Sequence, residues 1–454
     1  MAKSENSNRK NLKKIKSGVL QRGFSLAKMA LATGTKLTGH QIQELWQNDA
    51  ERQSRWNQFL QGRAKSLSSE LGELKGSLMK AGQMLSMYGE YFLPPEANEF
   101  LKSLYSDSPP LEFQEIEKIL HEEWEPEIRA ELEIDPVSIG SASIGQVHRA
   151  VIKSTGEHVA IKVQYRGVDR AIESDLKAIR AFLSMLKLLP RDLPMDPVFD
   201  EVRSMLQQEM DYGLEADATE AYAKRLAGDS RFVIPRVFRR YCRRKILVTS
   251  LEAGLPPDHP AVLGLSLQRR NQIAENFLDL YMLEFFQWGV VQTDPHLGNY
   301  KIRLQPENSG LPDQLVLLDF GAVRAYAPEF LSAYKRMIFH ALDDKRAEFE
   351  IAATELKFLS GSEGPQAREH FYKICRLIVE PFQGGIFDYR SSDLPKRTTA
   401  EAFQLIRGFK IDPPPQEVVF LDRKTAGVFI MMVVLGARFD PRPHLIQHRP
   451  KAGL

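Results

Sequence analysis

The chain has 454 residues, 43% apolar and 26% charged, enough for two or three domain-sized units with a sizeable core. A net charge of +2 gives no basis for a nucleic-acid partner. The two cysteines, Cys242 and Cys375, match no metal-ligand spacing and fit packing positions in a reducing compartment.

Residues 1–10 are polar and predicted to be disordered. Over residues 1–35, Lys3, Arg9, Lys10, Lys13, Lys14, Lys16 and Arg22 face only Glu5 among acids, while Leu12, Ile15, Val19, Leu20, Phe24, Leu26 and Leu31 recur at roughly helical spacing. A basic amphipathic helix of this kind either lies on an anionic membrane surface or docks on the rest of the protein. No signal-peptide core or cleavage pattern is present, and the excess of Lys over Arg fits a transit peptide poorly. A helical extension is predicted over 36–135, interrupted at Pro94-Pro95 and Pro109-Pro110, with its last helix running from Phe113 to Leu132.

At Pro136 the pattern changes. The runs SIGQVHRAVIK and HVAIKVQY, joined by Ser154-Thr155-Gly156, predict a β-hairpin. Helices are predicted over Asp169 to Leu189 and Asp196 to Leu226, and strands in FVIP and KILVTSL. Beyond Pro260 the pattern is mainly helical, except between Gly289 and Val323, where VVQ, YKIRL and LVLLDF read as strands around a loop. Thr425 to Ala437 is apolar but spans only 13 residues between Arg423-Lys424 and Arg438, so it reads as a buried helix, short of a membrane span. The expected architecture is α+β and bilobed, protein-kinase-like, with extra N-terminal helices, a small β-rich N-lobe over 136–252 and a larger helical C-lobe over 253–454.

The chemistry-bearing motifs fall in kinase order. Gly140, Ser141, Ala142, Ser143, Gly145 and Val147 follow the glycine-rich pattern G-x-G-x-x-G-x-V, with Ala142 replacing the second glycine. Small residues there let backbone N–H groups approach phosphates. Val159-Ala-Ile-Lys162 follows on the next strand and directs Lys162 to the α/β-phosphates of ATP. Asp294 and Asn299 have the D-x-x-x-x-N spacing of a catalytic loop, in which the Asp orients the acceptor hydroxyl and the Asn ligates a metal. Asp319-Phe-Gly321 ends an apolar run, and Asp319 would hold Mg²⁺ against the phosphates. His296 is assigned a structural role. Ala327-Pro328-Glu329 imitates the A-P-E motif but lies too near Asp319 to close a peptide-docking activation segment; it reads as a helix start.

From about Leu71 to Pro441 the chain resembles the UbiB (AarF-type) atypical kinase-like family. The resemblance rests on Leu74 to Gln83 with its K-x-G-Q signature, on Glu209-Met-Asp211-Tyr-Gly-Leu-Glu215, on the two loops above, and on Leu421-Asp-Arg423-Lys-Thr-Ala-Gly-Val-Phe. It implies that Lys80, Gln83, Glu209 and Asp211 lie near the nucleotide, that Glu215 pairs with Lys162, and that the K-x-G-Q helix covers the region where a peptide would bind. Ser250 and Glu252, after KILVTSL, are placed where a kinase hinge meets the adenine. Two departures stand out: the loop starts with Gly140 where the family has an alanine-rich loop, and the membrane spans usual at the end of UbiB proteins are missing.

The expectation is an ATPase or small-molecule kinase using ATP and Mg²⁺ in support of isoprenoid-quinone (ubiquinone) biosynthesis, cytoplasmic and peripheral to a membrane. Lipid or a quinone precursor, and quinone-biosynthesis proteins, are the expected partners. The alternatives are a protein kinase acting in trans, and a nucleotide-sensing lipid-binding or scaffold module with little turnover.

Overall fold

The computed structural model describes residues 76–450, except 94, 105–109, 142, 186–187, 190–194, 308, 360–362 and 410–415. The basic segment 1–35, the first part of the helical extension and Ala142 lie outside the described residues. The chain forms two compact units: Met1–Asp217 with Arg236–Leu251, and Ala218–Pro235 with Glu252–Leu454.

In chain order the strands are β1 (Leu132–Ser141), β2 (Gly145–Ile152), β3 (His158–Gln164), β4 (Phe232–Val233), β5 (Ile246–Ser250), β6 (Val290–Gln292), β7 (Tyr300–Arg303), β8 (Gln314–Leu317), β9 (Val323–Ala325) and the short antiparallel pair β10 (Phe387–Asp388) and β11 (Arg438–Phe439). The first unit holds an antiparallel sheet of order β1-β2-β3-β5. On β3, Val159, Ile161 and Val163 alternate into the core, each fully buried. Pro136 sits on the edge strand β1, where its missing N–H interrupts no central ladder, and the register shifts just after it. The β2–β3 turn uses Gly156 at φ +74°, a left-handed position that costs glycine little.

Around this sheet lie α1 (Ser77–Phe92), α2 (Pro95–Ser103), α3 (Phe113–Glu123), α4 (Pro126–Ala130), α5 (Val168–Met185), α6 (Asp196–Glu209) and α7 (Tyr212–Arg225), the last running on into the second unit. Helix α1, which carries the K-x-G-Q residues, packs on α2, α5 and α6. A Cβ at Gly82 would lie 2.8 Å from Leu104 Cβ, so glycine is what permits the close α1–α2 approach. Two expected helices are each broken. Phe113 to Leu132 becomes α3 and α4 because Pro126 cannot continue the preceding turn, and Leu132 already opens β1. Asp196 to Leu226 becomes α6 and α7 because the Asp211 carboxylate accepts a hydrogen bond from the Gly213 N–H at 2.9 Å, a local turn that competes with helical pairing.

The second unit contains a β4-β8-β7 sheet, parallel at β4–β8, and the pair β6-β9. The strand β9 was not read from the sequence. Its helices are α8 (Pro260–Leu263), α9 (Leu267–Met282), α10 (Pro328–Leu342), α11 (Arg346–Glu355), α12 (Pro365–Ile378), α13 (Leu394–Gly408), α14 (Gln416–Leu435) and α15 (Arg442–Ile446). A π-turn at Leu283–Trp288 extends α9. Pro328 opens α10 with Glu329 in its first turn, as a helix start requires. Helix α14 packs on α9, with Leu421, Met431, Met432 and Leu435 fully buried, and ends at Gly436 with φ +58°. Among the described residues no helix is long and apolar enough to cross a membrane.

Candidate active site

In the first unit, Val147 stands directly opposite Lys162 in the β2–β3 register. The Lys162 ammonium donates to both Glu215 oxygens at 2.8 and 2.9 Å and lies 5.1 Å from the Tyr212 ring centroid. Glu215 sits on the first turn of α7, which the Asp211–Gly213 turn starts at that point. Lys80 of α1 pairs with Glu209 of α6 at 2.8 Å, each side chain 11% exposed. Gln83 is half-buried one turn further along α1, and its carbonyl accepts from Ser86 Oγ. Asp211 is half-exposed, with Arg244 3.9 Å away. The structure thus joins Lys162 with Glu215, and Lys80 with Glu209.

The phosphate-loop residues Gly140, Ser141, Ser143, Gly145 and Val147 lie on β1, β2 and the turn between them. Gly145 has a packing reason for being small: a Cβ there would lie 2.5 Å from the Val163 carbonyl oxygen and 2.7 Å from Tyr212 Oη. Gly140 is the open position, since a Cβ would meet only Val147, at 3.9 Å. Ser141 Oγ lies 3.3 Å from Tyr165 Oη, which donates to Gln146 Oε1. Gln146 in turn ties the backbone of Leu111 and the His148 ring. Burial pushes Tyr165 up to about 12 and pushes His148 below the usual histidine range, the latter opposed by the Asp135 carbonyl beside it. Both side chains are therefore neutral struts at neutral pH.

Ser250 ends β5, and its Oγ accepts from the Arg236 N–H at 2.8 Å. In the second unit Glu252 pairs with Arg303, and its carbonyl accepts from Lys301 Nζ. These side chains latch their own units.

The second unit gathers Asp294, Asn299 and Asp319 through backbone links. Asn299 Nδ2 donates to the Asp294 carbonyl at 3.0 Å, and the Leu318 N–H donates to the Asn299 carbonyl. Buried Gln292, unassigned from sequence, donates to the carbonyls of Asp294 at 2.8 Å and Asp319 at 3.4 Å, and accepts from Tyr300 Oη. Thr293 binds the Ala322 carbonyl through both N–H and Oγ. Phe320 is buried 4.7 Å from the Tyr222 ring centroid. Asp319 Oδ1 accepts from the Gly321 N–H, and His296 Nδ1 accepts from the Gly298 N–H, capping the turn before Asn299. Asn299 and Asp319 offer hard oxygen donors, the kind Mg²⁺ takes together with phosphate oxygens. Among the described residues no group of three or more His, Cys, Asp or Glu side chains forms a ready metal cage.

Sequence reasoning also left Arg423 and Lys424 without roles. Arg423 Nη2 lies 2.6 Å from Asp294 Oδ1, and Lys424 Nζ lies 2.9 Å from Glu284 Oε2 with both side chains 1% exposed. Burial raises Glu284 above the usual carboxylate range, against the opposing pull of Lys424 and the Tyr222 hydroxyl.

A kinase-type β-sheet with a Lys–Glu pair, and a D-x-x-x-x-N loop tied to D-F-G, define an atypical protein-kinase-like protein. The model of the ABC1 atypical kinase-like domain matches residues 103–351, and the chain belongs to this family. It is 30% identical over 431 residues to the mitochondrial atypical kinase COQ8B of Rattus norvegicus, covering 94% of this chain and 78% of that protein. It is 29% identical over 379 residues to the mitochondrial atypical kinase COQ8 of Saccharomyces cerevisiae, covering 82% and 73%. Among solved structures it is similar to the Rv3197–erythromycin complex from Mycobacterium tuberculosis, with a TM-score of 0.58 and 25% identity, covering 88% of this chain and 98% of that one. The α+β kinase-like fold and the UbiB/AarF-type resemblance agree with these matches.

Proposed function

We propose that the protein binds Mg-ATP and turns it over as an ATPase or small-molecule kinase supporting isoprenoid-quinone (ubiquinone) biosynthesis, peripheral to a membrane. The observation that carries the nucleotide reading is the Lys162–Glu215 pair on β3 and α7, the arrangement a kinase needs for its lysine to meet the α/β-phosphates. Lys162 neutralises phosphate charge and Glu215 fixes the ammonium. Asp294 orients the acceptor, while Asn299 and Asp319 would hold Mg²⁺, which would supply positive charge to neutralise the phosphates. The quinone assignment is supported by the UbiB resemblance and by relatives named COQ8. A second reading, a protein kinase acting in trans, draws on a Dictyostelium discoideum relative named a probable serine/threonine-protein kinase, 26% identical. Against it, α10 begins at Pro328, leaving little chain after Asp319 for a peptide-docking segment.

The test is ATP hydrolysis by purified protein, with and without Mg²⁺, anionic liposomes and a phenolic quinone-precursor analogue. Mg-dependent turnover should rise with liposomes, through residues 9–31, and fall in Lys162→Ala and Asp319→Asn. Absence of Mg-dependent turnover, or variants that behave like wild type, would overturn the reading. Phosphate transfer to a partner protein that disappears in Asp294→Asn would favour the second one.

A further inference from the structure

The loop Asp294-Pro-His-Leu-Gly-Asn299 contains no lysine or arginine. A cation beside Asp294 arrives from 129 residues away, as Arg423 of α14, with Nη2 2.6 Å from Oδ1. The pair is partly shielded, the side chains being 24% and 14% exposed. One turn along, on the same helix face, Gly427 meets the next loop residue. A Cβ at 427 would lie 2.2 Å from Pro295 Cβ and Cγ, so only glycine lets α14 sit this close to the loop.

The helix is fixed on its other faces as well. Lys424 reaches buried Glu284, whose Oε1 accepts from the Gln292 N–H and from the Tyr222 hydroxyl. Thr425 Oγ1 lies 2.8 Å from Tyr281 Oη, and the Arg324 guanidinium lies 3.7 Å from the Phe420 ring centroid. Consecutive helical residues point in different directions at 3.6 residues per turn. Arg423, Lys424 and Thr425 therefore secure α14 to the loop, to the segment preceding it and to the end of α9. A guanidinium on so constrained a helix holds the carboxylate it grips in one orientation.

We propose that Arg423 is a positioning residue for phosphoryl transfer, fixing the Asp294 carboxylate for the acceptor, and that Gly427 sets the helix-to-loop distance on which this depends. The inference rests on the acceptor-orienting role given to Asp294 above. Positioning of this kind acts on the rate, because misplacement by about 1 Å can cost on the order of 100-fold while ground-state nucleotide binding is retained.

The test is steady-state Mg-ATP hydrolysis by the full chain, with melting temperatures, for Arg423→Ala, Arg423→Lys, Gly427→Ala, Asp294→Asn and Arg423→Ala/Asp294→Asn. Arg423→Ala should lower kcat by about 30- to 100-fold with KM for ATP within about twofold. Arg423→Lys should recover to within about tenfold of wild type, since it keeps a cation within reach of the Asp294 carboxylate. Gly427→Ala should lower kcat in the same direction. In the Asp294→Asn background Arg423→Ala should add less than about twofold. An unchanged kcat in Arg423→Ala, an equal loss in the Asp294→Asn background, or a rise in KM matching the fall in kcat would overturn the role. If Arg423→Ala loses its cooperative melt, Arg423→Met, which keeps the apolar stem, takes its place. Wild-type kcat in Asp294→Asn would overturn the role of Asp294 and with it this one. A normal loss in Asp294→Asn with a silent Arg423→Ala would overturn only the role of Arg423. Absence of Mg-dependent hydrolysis in the wild type would overturn both.

Discussion

The two units solve the same electrostatic problem with opposite signs. In the first, the candidate ligand groups are lysines, each backed by a helix carboxylate: Lys162 by Glu215 and Lys80 by Glu209. In the second they are the carboxylates of Asp294 and Asp319 with the amide of Asn299, and Asp294 is backed by an arginine from α14. A charge held out of water needs a partner of opposite sign whether or not a ligand is present. Cations suit phosphate oxygens, and acids suit Mg²⁺ and an acceptor proton, so the sign on each unit follows from the part of Mg-ATP chemistry it is proposed to handle. Lys424–Glu284 is the contrasting case, a fully buried pair beneath the second set with no proposed ligand.

The largest expected effect breaks that buried pair. Lys424→Met leaves Glu284 buried without its cation and should cost about 3–5 kcal/mol by denaturant unfolding, with much of the loss recovered in Lys424→Met/Glu284→Leu. Activity should follow stability in both. Lys162→Met should do the reverse: Mg-dependent hydrolysis falls by about 100- to 1,000-fold while the melt stays cooperative, because losing an electrostatic contact to the transferring phosphates acts on the rate. If Lys162→Met instead unfolds the protein and keeps its specific activity, the contrast between the two pairs collapses.

Acid pH sharpens the comparison. In the second unit, Asp229 and Asp343 are held below the usual carboxylate range by Arg231 and Arg449 respectively. Burial would raise Asp279, but His444 and Arg231 more than offset it and the net shift is downward. A lowered carboxylate contributes stability that is present above its ordinary value of 3.8 and lost as pH falls through the folded value. Glu284 runs the other way: its raised value favours the native state in acid, and that contribution fades as pH rises above 4.5. With Asp388 also lowered and Glu275 also raised, four lowered carboxylates against two raised predict a net loss in the second unit below roughly pH 4. Hydrogen exchange resolved by segment should show protection falling there in α9 and α15; protection that holds steady would contradict this balance.

The smallest effect is local. Gly140→Ala should leave the melting temperature within about 1 °C, because the added methyl finds ordinary contact only, yet weaken ATP binding by about two- to fivefold if the backbone approaches phosphates there. Gly145→Ala should destabilise the first unit instead, through Val163 and Tyr212.

Much of the architecture was legible because it is local. The β2–β3 hairpin follows from alternation and a glycine turn, and the motifs around Lys162, Asp294 and Asp319 sit within short stretches. The breaks at Pro126 and Asp211 are written in the sequence too, as a proline and an Asp-x-Gly turn inside otherwise helical stretches. The partners of the motifs were harder to read. The Lys162–Glu215 pair came only through family resemblance, and Arg423–Asp294 not at all, because no local pattern links positions 129 residues apart. Read alone, Arg423-Lys424 is a basic flank on an apolar helix; packing turns it into two ion pairs. Gly427 likewise reads as a weak spot in a helix until Pro295 is found against it.

Mg-ATP binding is tested most directly by calorimetric titration of ATP into the full chain, with and without Mg²⁺, for wild type, Lys162→Ala and Asp319→Asn. The proposed site requires Mg-dependent binding in the wild type, weakened at least about tenfold in each variant through loss of a phosphate-facing cation or a metal ligand. Binding that ignores Mg²⁺, or that survives both substitutions unchanged, would contradict it.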